Sequence, residues 1–364
     1  MHSIQLDTDC EGPLALNDNA FELCRDFLPP DGARFFTQVC RYDDYLSDIA
    51  PRPDFKAGDA LKLILPFLKA AGLTNNKMER YSQEHISLFP GAEAAFPFLH
   101  TLNFPLFEIS VSYRPFAEAV GGRLGFTRDR LYCTEADLDS YPLSETEAGE
   151  LHRLLAEISA APAIELPPEA KTPEDLAPEV REAIGLMNTI FWETIPRMDI
   201  GRIYREVNTM GGPEKASALE DSLAKTGLAM ANLMYVGDSL TDVPALKKVR
   251  AGGGVALSFN GNRYAIEAAE IIVVADTAWP VALLAAVFQT WGKEGVVELA
   301  QSTRPGASKY LALPEAMIEP IMMGLEKGKT FNLYHPSTSK REDFIADSTA
   351  MRRRLRGDAI AALG

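Results

Sequence analysis

Four short stretches of the sequence hold carboxylates, hydroxyls and a lysine at spacings that suit anion or metal chemistry. The first is Asp7-Thr8-Asp9. Side chains alternate along an extended segment, so two carboxylates one residue apart face the same side. A short acidic turn is the plain alternative. The second is Ser110-Val111-Ser112, whose hydroxyls and backbone N–H groups, placed at a strand end, can hold phosphate oxygens. Serines are also ordinary turn residues. The third is Lys215 in Gly211-Gly212-Pro213-Glu214-Lys215, at the expected start of a helix, where the helix dipole disfavours a cation. A solvated surface lysine is the bland reading. The fourth is Gly237-Asp238-Ser239-Leu240-Thr241-Asp242, which offers Asp238 as a metal ligand with Asp242 behind it. The same residues also make a helix cap, Ser239 with Asp242 three positions on.

A calcium loop is a competing reading of the first stretch. Asp7, Asp9, Glu11 and Gly12 match the first, third, fifth and sixth positions of the helix–loop–helix calcium pattern. Its last ligand position would carry Asp18 instead of Glu, and the residues before Asp7 are strand-like, so this reading is the weaker one.

The positioning elements come next. Apolar runs predict strands over 3–6 (stopping abruptly at Asp7), 105–109, 130–133, 232–236, 254–257 and 271–274. Helical periodicity predicts helices over 115–120, 145–159, 178–191, 214–226, 240–249 and 263–269, and a largely helical stretch over 14–99 in which Pro66 interrupts an amphipathic helix. Continuous apolar strands alternating with helices indicate a parallel sheet covered on both faces. The expected fold is therefore α/β, a doubly wound, Rossmann-like parallel sheet with mainly helical insertions. In such sheets ligands lie beyond the carboxyl ends of the strands, where the four stretches fall. The core is assigned to 1–20, 100–142 and 205–290, with a helical cap insertion over 21–99. A second insertion spans 143–204, proline-rich over 161–178, and a helical C-terminal extension spans 291–364.

Composition limits the partners. The chain has 364 residues with 36 basic and 51 acidic side chains, a formal net charge of -15. That balance argues against nucleic acid, which is bound by clustered Lys and Arg. It also means that a phosphate site needs a local cation or metal. The longest apolar stretch, 278–288, contains a proline and is shorter than the roughly 20 residues of a membrane span. With no basic, apolar leader and no closely paired cysteines among Cys10, Cys24, Cys40 and Cys133, a cytoplasmic protein with reduced thiols is expected. Ala251-Gly252-Gly253-Gly254 and Phe259-Asn260-Gly261-Asn262 are turns by composition, and Arg352-Arg353-Arg354-Leu355-Arg356 is expected to be a solvated helix face.

Taken in order, Asp-x-Asp, Ser, Lys and Gly-Asp-Ser-x-x-Asp at element boundaries resemble the haloacid dehalogenase-like superfamily of phosphohydrolases. The resemblance covers about 1–20, 100–135 and 205–290. It implies that Asp7 is the nucleophile that takes the phosphoryl group and Asp9 the acid–base. It further implies Mg²⁺ held by the Asp7 carboxylate, the Asp9 carbonyl and Asp238, with phosphate bound by Ser110 (Ser112 as second choice) and Lys215, and Asp242 in support. An acid at position 9 points to phosphatases and mutases and away from dehalogenases.

The sequence departs from the family where Cys10-Glu11-Gly12-Pro13 replaces the usual Gly-Thr, which leaves the adjacent flap undefined. The pattern Asp-x-Asp-x-Glu-Gly-Pro resembles an uncharacterised archaeal and bacterial subgroup. The function expected from the resemblance is a Mg²⁺-dependent phosphatase acting on a small phosphorylated metabolite through an aspartyl phosphate at Asp7. The alternatives are a phosphotransferase or mutase, and a non-catalytic accessory protein that keeps the fold.

Overall fold

A computed structural model describes residues 1–167, 169–301, 312–337 and 341–361. Residue 168 of the expected second insertion, and 302–311, 338–340 and 362–364 of the C-terminal extension, lie outside the described residues.

Seven strands form one sheet: β1 (Gln5–Thr8), β2 (Leu106–Tyr113), β3 (Leu131–Thr134), β4 (Leu233–Gly237), β5 (Val255–Phe259), β6 (Ile271–Ala275) and β7 (Phe331–Tyr334). Their order is β3-β2-β1-β4-β5-β6-β7. The first six are parallel, and β7 pairs antiparallel with β6 at the edge. This is the doubly wound α/β sheet expected, with one strand added by the C-terminal extension, so that extension is not wholly helical.

Burial on both faces explains why β4, β5 and β6 read as unbroken apolar runs. On one face Leu6, Met234, Val236, Leu257 and Val273 pack against helices Trp279–Gln301 and Ala92–Thr101. On the other, Leu233, Tyr235 and Ala256 pack against helices Gly212–Thr226 and Val243–Ala251. Strand β1 sits in the middle, between β2 and β4, and its ladder runs Asp7 opposite Tyr235 and Thr8 opposite Val236.

The two insertions do not form separate bodies. Helices Gly32–Asp44 and Ala60–Ala70 from the first and Glu145–Ala160 and Pro178–Thr189 from the second share one apolar core. Phe67 is central there, with ring centroids 4.7 Å from Phe35 and 6.3 Å from Phe191. Helix Ala92–Thr101, assigned by sequence to the cap insertion, instead lies against the sheet.

Among the described residues, no helix is long and apolar enough to cross a membrane.

Candidate active site at the carboxyl end of the sheet

The strand that begins the chain does not stop at Asp7. It runs on to Thr8, and the Asp9 N–H extends the pairing by donating to the Val236 carbonyl at 2.8 Å. Asp7 is therefore inside the sheet, with no exposure, and its carboxylate faces helix Gly212–Thr226. There Gln5 Nε2 donates to Oδ1 at 2.8 Å and Ser222 Oγ donates to Oδ2 at 2.6 Å. Burial pushes this carboxyl up to about 7, against the lowering effect of those two donors. Asp7 thus does not reach the crevice, contrary to the expectation that it is the nucleophile and a metal ligand. The calcium loop loses its first ligand for the same reason, and Asp18 instead caps helix Asn19–Phe27 by accepting the Phe21 N–H.

Asp9 emerges where Asp7 was expected, just past the end of β1. Lys215 Nζ lies 2.8 Å from Asp9 Oδ2 and 2.7 Å from Asp242 Oδ1, and all three side chains are buried. Gly211 and Pro213 start helix Gly212–Thr226 so that Lys215 falls in its first turn. The helix dipole opposes a cation there, and the two carboxylates compensate. Burial alone would lower the Lys215 pKa, but Asp242 and Asp9 hold it above its ordinary value.

Asp242 makes the helix cap and also reaches Lys215. Its Oδ2 accepts the N–H groups of Asp238 and Ser239 at 2.8 and 3.0 Å, closing the helix cap. Its Oδ1 takes Lys215 and the Tyr235 hydroxyl, the latter at 2.6 Å. Burial raises such a carboxyl, yet Lys215 and these donors keep it below its usual range. Gly237 makes the arrangement possible, because a Cβ there would stand 2.5 Å from the Asp242 carboxyl carbon.

Asp9, Asp238 and Asp242 each bring one oxygen to within 4.8 Å of the others. Buried carboxylate oxygens of this kind fit a hard divalent cation such as Mg²⁺. Each Asp242 oxygen already takes at least two donors, whereas Asp9 Oδ1 takes only the Cys10 N–H at 2.7 Å and Oδ2 only Lys215, among the described residues, so Asp9 and Asp238 are the pair that would hold it. Burial pushes Asp9 well above its ordinary value; Lys215 pulls it back, and Asp242 and Asp238 push it up again.

The sequence reading placed Glu11 only in the weaker calcium loop and gave it no part in phosphate chemistry. It lines the same crevice as Asp9, Ser112 and Asp238, a cavity of about 100 Å³. Its Oε1 accepts the Ser112 hydroxyl at 2.7 Å and the Asn19 N–H at 2.9 Å. Burial, with Asp18 adding to it, pushes the Glu11 carboxyl up to about 8. Directly after Glu11, Gly12 takes φ +105°, and a Cβ at this residue would meet Asp238 Oδ2 at 2.5 Å. Only glycine fits both demands. Ser112 lines the crevice, whereas Ser110 is buried behind it and accepts the Ser112 N–H at 3.1 Å.

The basic run near the C-terminus also departs from expectation. Arg353 is exposed, but Arg352 is buried and Arg356 half-buried, and they reach Asp238 Oδ2 at 2.5 and 3.3 Å. Their spacing of four, which places both on one helix face, was the available signal. The turn at Phe259-Asn260-Gly261-Asn262 closes on the same residue, with the Asn262 N–H donating to the Asp238 carbonyl at 2.8 Å.

No family model and no curated protein matches the chain. Among solved structures, the gene product AF1437 from Archaeoglobus fulgidus is similar over 100% of this chain and 99% of its own, with 28% identity and a TM-score of 0.79. A substrate-bound phosphoserine phosphatase aligns over 75% of this chain and 93% of its own, with 13% identity and a TM-score of 0.45. A HAD family hydrolase from Salmonella enterica serovar Typhi aligns over 71% and 62%, with 14% identity and a TM-score of 0.36. These last two alignments are too loose to carry an argument.

Proposed function

We propose that the chain is a metal-dependent phosphohydrolase of the haloacid dehalogenase-like kind, with its reactive pair two residues later than the first Asp-x-Asp reading. Asp9 takes the phosphoryl group and Glu11 is the acid–base. The observation that carries this is the convergence of Asp9, Lys215, Asp238 and Asp242 beyond the carboxyl ends of β1 and β4, with Glu11 lining the same crevice. Cys10 takes the intervening position, so the pattern becomes Asp9-Cys10-Glu11-Gly12, and the glycine falls directly after the second acid as in the family.

In this reading an Asp9 oxygen attacks the phosphorus of a phosphomonoester while the leaving alkoxide takes a proton from Glu11. An aspartyl phosphate on Asp9 and a free alcohol result. Glu11, now ionised, removes a proton from a water whose oxygen attacks the same phosphorus, releasing inorganic phosphate and restoring Asp9. The burial of Glu11 supports its starting protonated, since its carboxyl stands at about 8. Lys215 neutralises Asp9 and the phosphoryl oxygens, and Ser112 adds a hydroxyl at the edge of the crevice. A Mg²⁺ held by Asp9 and Asp238 would neutralise the charge of nucleophile and phosphate. The partner is then a small phosphomonoester.

The test is hydrolysis of an aryl phosphate with Mg²⁺ and with EDTA, in wild type, Asp9→Asn and Asp7→Asn. The expected result is Mg²⁺-dependent turnover, lost by about 1,000-fold or more in Asp9→Asn and kept within a few-fold in Asp7→Asn, as befits removal of a nucleophile but not of a strand residue. Full activity in Asp9→Asn would sink the reading. Loss confined to Asp7→Asn would restore the earlier assignment.

A further inference from the structure

Arg352 and Arg356 belong to helix Arg341–Ala361, in an extension that the chemistry proposed above does not use. Their contacts are concentrated on the loops that carry the site. Arg352 Nη1 donates to the Asp238 carboxylate at 2.5 Å, to the Asp238 carbonyl at 3.2 Å and to the Asn260 carbonyl at 3.2 Å. Arg356 Nη1 reaches the same Asp238 Oδ2 at 3.3 Å, while its Nε and Nη2 donate to the carbonyls of Leu16 and Asn17 at 3.0 and 2.6 Å. Two side chains from one helix thus join the loops after β1, β4 and β5. Both line the crevice, and Arg352 is only 5% exposed.

These contacts divide the two oxygens of Asp238. Oδ2 is covered by both guanidiniums and by the close approach of Gly12, whereas Oδ1 accepts no hydrogen bond from the described residues. A carboxylate held by one oxygen presents the other in a fixed direction, as ligands oriented by outer partners do. The acidic groups elsewhere in the crevice have their own structural partners. Asp43 accepts the N–H groups of Gly58 and Ala60, and Asp44 pairs with Arg41.

Resting on the metal site proposed above, we propose that Arg352 and Arg356 are positioning residues for Asp238. The C-terminal helix then completes the cation site from a distance of more than a hundred residues in sequence, aiming Asp238 Oδ1 at the cation while Oδ2 stays in the guanidinium clasp. The extension is part of the active site and not an appendage to the fold.

The decisive quantity is metal affinity, because two explanations predict opposite signs. Removing two cations beside a divalent ion strengthens its attraction by Coulomb's law. A loss of affinity therefore cannot come from charge and isolates the positioning role. Mg²⁺ binding is measured by calorimetry and by the Mg²⁺-induced rise in Tm, on the full chain, with folding checked by circular dichroism. The variants are Arg352→Gln/Arg356→Gln, Arg352→Lys and Ser348→Ala. The last removes the helix's hydroxyl bond to the Gly261 carbonyl, 2.6 Å in length, and touches neither arginine.

The double variant is expected to bind Mg²⁺ at least about ten-fold more weakly, Arg352→Lys to fall between it and wild type, and Ser348→Ala to bind within about two-fold of wild type. Aryl phosphate turnover in the double variant should recover toward wild type as Mg²⁺ is raised. Unchanged or tighter Mg²⁺ binding in the folded double variant, or in Arg352→Lys if the double variant does not fold, overturns the proposal. So does an equal loss in Ser348→Ala. If wild type binds Mg²⁺ and Asp9→Asn weakens it while the arginine variants do not, only this proposal fails. If wild type binds no Mg²⁺, the metal site and this proposal fail together.

Discussion

Two groups of buried polar residues lie on either side of the end of β1, and they hold carboxylates in opposite ways. Within the sheet, Asp7 is satisfied by neutral donors, Gln5 and Ser222, and Gln5 in turn accepts the Thr226 hydroxyl at 2.7 Å. Among the described residues no cation forms an ion pair with it. At the mouth of the sheet, Asp9 and Asp242 share Lys215, and Asp238 takes two arginines. Burial raises the Asp7 carboxyl against its neutral donors; at the mouth burial also raises Asp9 against the pull of Lys215, while Lys215 and its other donors keep Asp242 below its usual range. In the function proposed above, the same residue type at a spacing of two serves as architecture in one place and as chemistry in the other.

The largest effect expected from breaking this contrast is at Lys215. Lys215→Met leaves Asp9 and Asp242 buried without their shared counter-charge, which costs on the order of 3–5 kcal/mol for a buried pair. Urea unfolding should show that loss, and any folded fraction should lack Mg²⁺-dependent turnover. A loss below about 1 kcal/mol, the scale of an exposed pair, would mean that Lys215 does not neutralise the cluster.

Glu108 sharpens the comparison from a third position. It stands in β2 opposite Thr8, is fully buried, and its carboxyl has the Cys10 thiol beside it but no N–H or O–H donor among the described residues. Burial pushes it from 4.5 to about 8. The folded protein therefore binds this proton more tightly than the unfolded chain, so the group's stabilisation is complete below about pH 4.5 and is lost as pH rises toward 8. Within that window Glu108 alone contributes a fall of about 1.4 kcal/mol per pH unit. Glu108→Gln should flatten the stability profile between pH 6 and 7 by about that slope, measured by urea unfolding at both pH values. An unaltered slope would mean that Glu108 is ionised in the folded protein.

Much of the sheet was legible because apolar runs bounded by glycine or acid are decided locally. The strands near 232–236, 254–257 and 271–274, and helix Glu145–Ala160, fall within a few residues of expectation. Asp238 was legible because it follows Gly237 at the end of β4, Lys215 because Gly211-Gly212-Pro213 announces the helix whose first turn it occupies, and Asp242 because it stands three residues after Ser239 in a helix cap. The end of β1 was not. Asp7 looks like a terminus because a carboxylate is costly inside a sheet, and what makes it tolerable, Ser222, lies 215 residues away. The acid–base candidacy of Glu11 was not legible because its setting depends on Ser112, nor was the place of Arg352, because Asp238 is 114 residues distant. The cap was least legible, since its helices find each other across the core sequence that separates them.

The smallest expected effect tests the neutral side of the comparison directly. Ser222→Ala removes the hydroxyl that donates to Asp7 Oδ2 and accepts from Gln5 Nε2 at 2.8 Å. Leaving one buried acceptor short of a donor costs about 1–2 kcal/mol, reduced where the carboxyl keeps its proton and Gln5 remains in place. Nothing in the crevice touches Ser222, so Mg²⁺-dependent turnover should stay within about two-fold of wild type while the urea midpoint falls. The opposite pattern, stability intact and turnover lost, would place Asp7 in the chemistry and dissolve the distinction between the two clusters. A fall in both, in proportion to the unfolded fraction, leaves the distinction standing, because turnover per folded molecule is then unchanged and Asp7 acts only through the strand that carries Asp9 to the crevice.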